Sequence, residues 1–391
     1  MSKNCFVFVV CGSKEHIDTL HFSMTYLKRF SQQEILVLTD SSRNEIPIIH
    51  ENIIDVQTPA AFNHHQASIY LKTGIFQFVP KGNLYCYLDT DIIAFSNEVD
   101  HIFTQYQSPI SFAPDHCKML SFSSYAVNCT CQEMFKEARD KFDLALDEVD
   151  PYRNSSDEKV KIYRRKLQSH YHKLRKNKLK AVITALRYFL APKVFKLKDD
   201  IIFDKKQRVW KNVDEIVFMK DFNIRKVAKN CGLGWSTINH EPVFKSGISL
   251  WKDECFHLKE LIKSKFDIEI TVNDFQHWNG GVFLFDDQSF DFLQNWFDFT
   301  MEIFKDGNWK TRDQGTLIAT VWKFQLQNHP TLNKKWNLIA DYYNQELEWL
   351  EGVKIQLHED EVYEPKLIHV YHHFQDTNWE FWNQLMENLK E

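Results

Sequence analysis

In the stretch Tyr85-Cys-Tyr-Leu-Asp-Thr-Asp-Ile-Ile-Ala-Phe95, two aspartates, Asp89 and Asp91, lie between two apolar runs. The first run predicts a buried strand at Leu84–Leu88, because a solvated loop would not be flanked by apolar residues on both sides. Burying two carboxylates is costly unless a cation or hydrogen-bond donors meet them. We therefore predict that a strand ends here and presents both carboxylates to one divalent ion.

Strands and helices alternate in the residues around that segment. Apolar, β-rich runs at residues 5–10 and 34–39 flank a helical pattern at residues 16–30. This β-α-β order predicts a parallel sheet covered by helices. Open sheets of this kind bind ligands at the carboxyl ends of their strands. Asp89 and Asp91 are therefore predicted at a position suited to chemistry.

Three later segments carry polar residues that are candidates for a ligand site. They are a strand at residues 278–285, a helix at 312–322 and a strand at 366–371. The first of these strands has paired glycines, which permit a close backbone approach to a ligand. The candidate residues in these segments, or directly after the last one, are Asn279, Gly280, Asp313, Gln314, His369, His372 and His373. The simpler alternatives are a tight turn at Asn279, a helix cap at Asp313 and a histidine cluster on the surface.

The oxygen atoms of Asp89 and Asp91 are hard ligands, which suit Mn²⁺ or Mg²⁺. Such an ion can hold the diphosphate of a nucleotide sugar. It then stabilises the negative charge that develops when the sugar–phosphate bond breaks. The motif is therefore interpreted as a pair of metal ligands rather than as an acid and a base.

Composition limits the class of protein. The chain has 391 residues, of which 43% are hydrophobic, so a sizeable core can form. The formal net charge of −5 does not suggest a nucleic-acid-binding protein. No apolar stretch reaches the roughly 18 residues of a membrane span, and the run at residues 5–10 is too short for a signal-peptide core. We expect a cytoplasmic protein.

The middle of the chain is strongly basic. Residues 153–198 carry many Lys and Arg. Apolar residues at helical spacing within this stretch predict one or two basic amphipathic helices, which end at Pro192. Sheet-like elements are expected to resume from about residue 241. We therefore predict one catalytic domain over residues 1–391, interrupted by a helical insertion at about residues 130–235. The basic amphipathic pattern of the insertion has two interpretations: a peripheral contact with the inner face of the cell membrane, or a solvated helical hairpin.

The 8 cysteines form no regular framework. Cys129 and Cys131 make a C-x-C pair, but no second pair stands at zinc-finger spacing. We expect reduced thiols in a protein of the cytoplasm. Asn63-His64-His65 has no spaced partner for a second metal site and is expected to be a loop.

Two neighbouring stretches together resemble the hallmark segment of glycosyltransferase family 8. They are Tyr-Leu-Asp-Thr-Asp-Ile-Ile at residues 87–93 and Val-Asp-His-Ile-Phe at residues 99–103. This family contains glycogenin and bacterial lipopolysaccharide galactosyltransferases. Three further segments resemble the family in its order, namely Asn-Gly-Gly-Val-Phe-Leu-Phe from Asn279, Asp-Gln-Gly-Thr-Leu from Asp313, and Ile-His ending at His369. The resemblance covers residues 3–115 and 240–375.

The resemblance implies a GT-A fold, which is a Rossmann-like nucleotide-diphospho-sugar transferase domain with a mixed central sheet and flanking helices. It implies a UDP-sugar donor, Mn²⁺ and transfer with retained anomeric configuration, hence a hexosyltransferase of class EC 2.4. The expected acceptor is a hydroxyl of a glycan or lipid-linked glycan, as in bacterial polysaccharide or lipopolysaccharide biosynthesis.

The resemblance also implies roles for residues of the metal site and the reaction centre. Asp89, Asp91 and His369 would be metal ligands, and Asp89 would also touch the donor. Gln314 would lie by the reacting anomeric carbon. Asp313 would hold a hydroxyl of the donor sugar or the acceptor.

Further donor contacts follow from the same resemblance. Cys11 and Gly12 would face the base and ribose, and Lys72 would lie near the diphosphate. Asn279 and Gly280 would line the sugar site.

The chain departs from the family in two places. The usual histidine, glycine and Lys-Pro-Trp ending is absent, so His372 or His373 would take over its phosphate contact. Gly315 stands where many members have a second aspartate. These departures keep two alternatives open: a non-catalytic protein that binds nucleotide sugars or glycans, and an inverting GT-A transferase. A nucleotidyltransferase is disfavoured because no glycine-rich basic phosphate loop follows the first strand.

Overall fold

The computed structural model describes residues 3–198, 200–273, 275–341, 347–350, 354–357 and 361–390, with the side chains of residues 175 and 176 outside the description. The strands are β1 (Asn4–Val9), β2 (Glu34–Thr39), β3 (Ile53–Asp55), β4 (Leu84–Leu88), β5 (Ile92–Ala94), β6 (Ser111–Pro114), β7 (Val194–Lys198), β8 (Ile201–Asp204), β9 (Val209–Asn212), β10 (Val217–Lys220), β11 (Gly234–Ser236), β12 (Glu241–Val243), β13 (Trp278–Phe285), β14 (Leu338–Ala340), β15 (Leu347–Trp349), β16 (Ile355–Leu357), β17 (Glu361–Tyr363) and β18 (Leu367–Val370). The helices are α1 (Lys14–Phe30), α2 (His64–Thr73), α3 (Met119–Ala126), α4 (Cys131–Val149), α5 (Glu158–Lys176), α6 (Lys178–Leu190), α7 (Ile224–Asn230), α8 (His257–Phe266), α9 (Phe290–Ile303), α10 (Arg312–Lys323) and α11 (Glu380–Asn388).

The chain divides into two compact units. The core unit comprises Met1–Cys129 and Glu254–Glu391, and the inserted unit comprises Thr130–Asp253. The sequence placed the insertion at about residues 130–235.

The core unit is built on a mixed sheet. Among the described residues, six strands follow the order β3-β2-β1-β4-β13-β6. β1 pairs in parallel with β2 and β4, and β2 pairs in parallel with β3, whereas β13 runs antiparallel to both β4 and β6. This confirms the predicted α/β class with a mixed central sheet, and the strands predicted at 34–39, 84–88 and 278–285 coincide with β2, β4 and β13.

Helices cover both faces of this sheet. Val7, Tyr87 and Phe283 pack on one face with residues of α2, α8, α9 and α10. Phe6 and Phe8 point to the opposite face, where they pack with residues of α1. Burial of both faces explains why the strands are continuous apolar runs instead of alternating ones. Each buried aromatic side chain of this kind contributes about 1.5–3 kcal/mol.

A second sheet in the core unit positions the late histidine. β18 pairs in parallel with β14 and antiparallel with β5. His369 of β18 lies opposite Ile92, the first residue of β5. Because β5 begins directly after Asp91, this register brings His369 beside the Asp-Thr-Asp segment.

The inserted unit contains the two basic helices predicted from the sequence, α5 and α6. They are followed by an antiparallel sheet of order β10-β9-β8-β7. The expectation that sheet-like elements resume from about residue 241 was therefore wrong, because β7 already begins at Val194. In β7 the residues Phe195 and Leu197 are buried while the lysines beside them are exposed, so a two-residue alternation was present but masked by charge. No helix among the described residues is long and apolar enough to span a membrane.

Candidate functional site

Asp89 and Asp91 follow β4 and meet His369 of β18. One donor atom from each of the three side chains lies within 4.8 Å of the others, and Nε2 of His369 is 3.3 Å from Oδ1 of Asp91. Backbone hydrogen bonds fix the segment, because Asp89 N donates to Gly281 O over 2.9 Å and Val370 N donates to Asp91 O over 3.0 Å. The three residues predicted as metal ligands are thus brought together by two sheets.

The side chains of this cluster fit a divalent cation. Oδ1 of Asp91 is buried and accepts no hydrogen bond from any described residue, which is costly unless a cation meets it. Nδ1 of His369 is 3.2 Å from Oδ1 of Asn337. With its proton on Nδ1, the ring turns the Nε2 lone pair toward Asp91, as ligating histidines do. Two carboxylates and an imidazole suit Mn²⁺ or Mg²⁺.

The electrostatics of the cluster also favour a cation. Burial disfavours the charged imidazolium of His369, but the carboxylates of Asp91 and Asp89 outweigh it and raise the pKa of His369. The two carboxylates therefore attract positive charge to this point of the structure.

Lys72 of α2 joins the cluster from the other side. Its Nζ atom lies 3.2 Å from Oδ1 of Asp89 and 3.2 Å from Oδ2 of Asp313, and 5.3 Å from the centre of the Tyr87 ring. Burial opposes the charge, but the two carboxylates raise the pKa of Lys72, so the side chain is cationic. Lys72, which the resemblance places near the diphosphate, thus lies beside Asp89.

Gln314 is held across β13. Its Oε1 atom accepts a hydrogen bond from Gly280 N at 3.1 Å, and its Nε2 atom donates to Trp278 O. A side-chain carbon at position 280 would lie 3.3 Å from Oε1 of Gln314 and 3.4 Å from Nζ of Lys72. The glycine therefore keeps the space between Gln314 and Lys72 open.

The structure adds Asn337 and Asp115, which the sequence analysis missed. Nδ2 of Asn279 donates to Oδ2 of Asp115 over 2.9 Å, and Oδ1 of Asn279 accepts from Nδ2 of Asn337 over 3.0 Å. Asn337 in turn faces His369, so Asn279 is linked to a predicted metal ligand. Both missed residues stand at strand ends, Asp115 directly after β6 and Asn337 directly before β14. That position is the signal that could have identified them.

Asp115 is the charged end of this chain of contacts. Its side chain is only 7% exposed. Burial favours the neutral acid, but His277 and His116 hold the pKa of the Asp115 carboxyl well below its usual range. Oδ1 of Asp115 is 3.0 Å from Nδ1 of His116. An ionised Asp115 accepts from the amide of Asn279 and fixes its orientation.

His372 and His373 lie in different surroundings. Nδ1 of His372 is 3.1 Å from Oδ1 of Asp341, whose other oxygen is 3.8 Å from Nε2 of His116. Nδ1 of His373 is 2.8 Å from Asp376 in the following turn. The strand ends at Val370, so His372 and His373 lie beyond it and outside its regular alternation of sides.

Cys11 and Gly12 form the turn after β1. The Cys11 thiol is buried and lies 3.3 Å from the hydroxyl of Ser68. Gly12 has a φ of +110°, and a side-chain carbon there would come within 2.8 Å of His64 Nδ1. Gly12 N donates to Asn44 Oδ1 over 3.2 Å. The turn thus requires glycine, and the Cys11 side chain packs in the core.

Two expectations about single segments change. Asn63-His64-His65 is not a loop, because Asn63 caps α2 in a reciprocal pair of hydrogen bonds with Gln66. Gly315 is buried in α10, and a side-chain carbon there would lie 2.8 Å from the Trp309 ring. An aspartate at this position would clash with the Trp309 ring, so packing requires the glycine.

The chain was compared with known proteins. No family model and no curated protein matches it. The solved structures to which it is similar include the bifunctional glycosyltransferase WbbM (10% identity, 100% of this chain and 52% of that chain, TM-score 0.39), mouse xyloside xylosyltransferase 1 (9%, 95% and 99%, 0.40), and galactosyltransferase LgtC with donor and acceptor sugar analogues (13%, 34% and 51%, 0.22). The chain spans about half the length of WbbM.

Proposed function

We propose that the protein is a metal-dependent glycosyltransferase. It moves a sugar from a nucleotide-sugar donor, a UDP-sugar, to a hydroxyl of a glycan or lipid-linked glycan. The observation that supports this most is the meeting of Asp89, Asp91 and His369 with Lys72 beside Gln314. The motifs that resemble glycosyltransferase family 8 fall on these same residues.

The cationic groups of the site suit a diphosphate. Asp89, Asp91 and His369 would hold Mn²⁺ or Mg²⁺, which stabilises the charge of the leaving diphosphate when bound. Lys72 adds a fixed positive charge next to Asp89. Because it is largely buried, its attraction for a phosphate oxygen is weakly screened by water.

The remaining polar groups suit a sugar. Asp313 is within 3.2 Å of Lys72, and a carboxylate there can accept a hydrogen bond from a sugar hydroxyl. Both ends of the Gln314 amide are hydrogen bonded to β13, so its face is fixed beside Gly280. We propose that Gln314 lies by the anomeric carbon and that transfer retains configuration. The anomer of the product, read by NMR, distinguishes this from inversion.

The test is UDP release and product formation from a panel of UDP-sugars with Mn²⁺. We expect Asp91→Asn to lose more than about 100-fold in activity, because removing even an outer partner of a metal ligand costs about 10–100-fold. Asp18→Asn, at an exposed position of α1 whose aspartate contacts Lys14, is the matched control and should retain full activity. Equal activity of Asp91→Asn and wild type, or activity unaffected by EDTA, would reject the proposal.

One observation favours the alternative of a non-catalytic donor-binding protein. Lys72 already neutralises Asp89, so a nucleotide sugar could bind by its diphosphate without turnover. A thermal-shift screen of nucleotide sugars with and without Mn²⁺ separates the two, since a bound ligand raises Tm. Stabilisation that needs no metal, together with no turnover on any acceptor, would support the alternative.

A further inference from the structure

A second group of metal-binding side chains lies in the core unit, among residues that the proposed transferase does not use. Sγ of Cys129 is 3.8 Å from Sγ of Cys255. Sγ of Cys255 is 3.2 Å from Nδ1 of His257. The three donor atoms all lie within 4.8 Å of one another. Sulfur and imidazole donors suit zinc, unlike the carboxylate-rich set at Asp89 and Asp91.

The distances match a tetrahedral zinc site. With Zn–S bonds of about 2.3 Å and Zn–N bonds of about 2.0 Å, two bound sulfurs lie about 3.8 Å apart and a sulfur and a nitrogen about 3.5 Å apart. The observed separations are 3.8 Å for Cys129 and Cys255 and 3.2 Å for Cys255 and His257. A disulfide would require about 2.05 Å between the sulfurs. The side chains therefore stand at the spacing of ligands around one ion.

The sequence supplies a fourth donor. Cys131 follows Cys129 in a C-x-C pair, and Cys255 precedes His257 in a C-x-H pair. Cys131 is also the first residue of α4, where the positive end of the helix dipole favours a thiolate. Two pairs with the same one-residue spacing give the Cys₃His set of a structural zinc site. Cys255 lies 126 residues after Cys129 in the chain. This separation is far from zinc-finger spacing, so the sequence alone does not connect the two pairs.

The surroundings of Cys255 support a bound thiolate. Cys255 is 2% exposed, and its sulfur accepts a hydrogen bond from the hydroxyl of Ser123 over 3.2 Å. Its backbone N donates to Leu120 O over 2.9 Å. The Ser123 hydroxyl in turn accepts from Leu258 N over 3.0 Å. Such outer contacts fix the ligand and stabilise its negative charge.

We propose that Cys129, Cys131, Cys255 and His257 bind one structural Zn²⁺. Four protein ligands leave no open coordination position, so the ion serves the fold and not the chemistry. Cys129 is the last residue before the inserted unit, and Cys255 follows that unit by two residues. The ion would join the two points where the chain leaves and rejoins the core unit. Because the unfolded chain has no preformed site, the free energy of zinc binding adds to the stability of the folded chain.

The test is elemental analysis of the full-length protein, purified and dialysed without added metal. We expect about one zinc per chain in the wild type, as for a high-affinity structural site. Cys255→Ser and Cys129→Ser should each lose most of it. Cys231→Ser, which removes a thiol of the inserted unit that donates to the backbone oxygen of Lys141, and Asp91→Asn should both keep it. The Asp91→Asn arm separates this site from the proposed transferase site.

A second measurement protects the test against variants that fail to fold. Replacement of zinc by Co²⁺ in the wild-type protein should produce thiolate-to-cobalt charge-transfer bands and the visible absorption of tetrahedral cobalt. Absence of both zinc and these bands in the wild type would overturn the proposal. So would a Cys129–Cys255 disulfide in the mass spectrum of the unreduced protein, or zinc that is lost by Asp91→Asn and kept by Cys255→Ser.

Discussion

Nζ of Lys72 lies 3.2 Å from Oδ1 of Asp89, so a fixed cation shares a carboxylate with the expected metal ion. The lysine partly neutralises two clustered acids and leaves Asp91 to face the ion. Lysine and metal then present their positive charges to the same anionic group of a donor. In the proposed transferase, Lys72 is therefore part of the donor site instead of a separate ion pair.

We expect Lys72→Ala to lower kcat/KM for the donor by about 10–1000-fold, since it removes a buried charge beside the diphosphate and leaves Asp89 and Asp313 without their counter-ion. The measurement is steady-state kinetics at saturating Mn²⁺. Lys81→Ala, at an exposed turn, serves as the control. Unchanged kinetics in Lys72→Ala would show that the lysine only neutralises the acids.

Asn337 connects Asn279 to His369 and should tune the metal affinity. We expect Asn337→Ala to raise the Mn²⁺ concentration needed for half-maximal activity by about 10–100-fold, because the His369 ring loses its orienting partner. A smaller change is expected in the rate at saturating Mn²⁺. Activity is titrated against Mn²⁺, with Asn273→Ala on the surface as the control. An equal loss at all Mn²⁺ concentrations would contradict this role.

Gly281 permits the close approach of β13 to His369. A side-chain carbon there would lie 2.7 Å from Cε1 of His369 and 2.8 Å from Oδ1 of Asn279. Gly281→Ala should therefore weaken Mn²⁺ binding and destabilise the protein by about 1–3 kcal/mol through overpacking. Chemical denaturation and Mn²⁺ titration measure the two effects. Gly307→Ala meets nothing within 4 Å and should be silent.

The local sequence pattern was sufficient to predict the site residues that lie at the ends of buried apolar strands. Asp89, Asp91 and Asn279 could be predicted because each borders or begins a buried run. His369 was placed with them by resemblance, and the pairing of β18 with β5 supplies the physical reason. Asn337 could not be found in this way, since its neighbours are set by strand order and not by spacing.

Local spacing was also insufficient to predict the meeting of Cys129 with Cys255 and the first strand of the inserted unit. Cys129 and Cys255 meet because the chain returns to the core unit after the whole insertion, and no local spacing records that return. In β7 the exposed lysines of Val194–Lys198 continue the basic composition of α5 and α6 and hide the two-residue alternation of a strand. Tertiary burial of Phe195 and Leu197 decides its structure.

Asp40, directly after β2, gives the stability a defined pH dependence. Its side chain is 2% exposed. Burial favours the neutral acid, but hydrogen bonds from Ser42, Thr58 and Arg43 lower the pKa of Asp40 to about 2. The folded-state pKa is below the unfolded value, so this stabilisation is present above about pH 4 and is lost as the pH falls toward 2.

We therefore expect Asp40→Asn to unfold more easily than the wild type at pH 7, by up to about 2 kcal/mol. The difference should shrink between pH 4 and pH 2. Urea unfolding at several pH values measures it, with Asp18→Asn as the exposed control. A difference that stays constant down to pH 2 would show that the loss comes from geometry and not from the charge.

The outer side of α6 carries apolar side chains exposed to solvent. Phe189 is 76% exposed and Leu190 is 81% exposed, and Leu179, Val182, Ile183 and Leu186 are also exposed. Lys178 and Lys180 lie in the first turn of the same helix. An exposed apolar stripe beside lysines is the pattern of a helix that lies on an anionic membrane surface. We expect the full-length protein to sediment with vesicles that contain anionic lipid and not with neutral ones.

The double variant Phe189→Ser, Leu190→Ser should lose most of this binding, because burial of apolar side chains in the interface drives it. Ile238→Ser removes another exposed apolar side chain of the inserted unit, 88% exposed, and should bind as the wild type does. Raised salt should weaken the binding, since the lysine contribution is screened. Binding that is equal in the double variant and the wild type, or equal on neutral and anionic vesicles, would leave α6 as a solvated helix. In that case the lipid-linked acceptor would have to be recognised without help from the inserted unit.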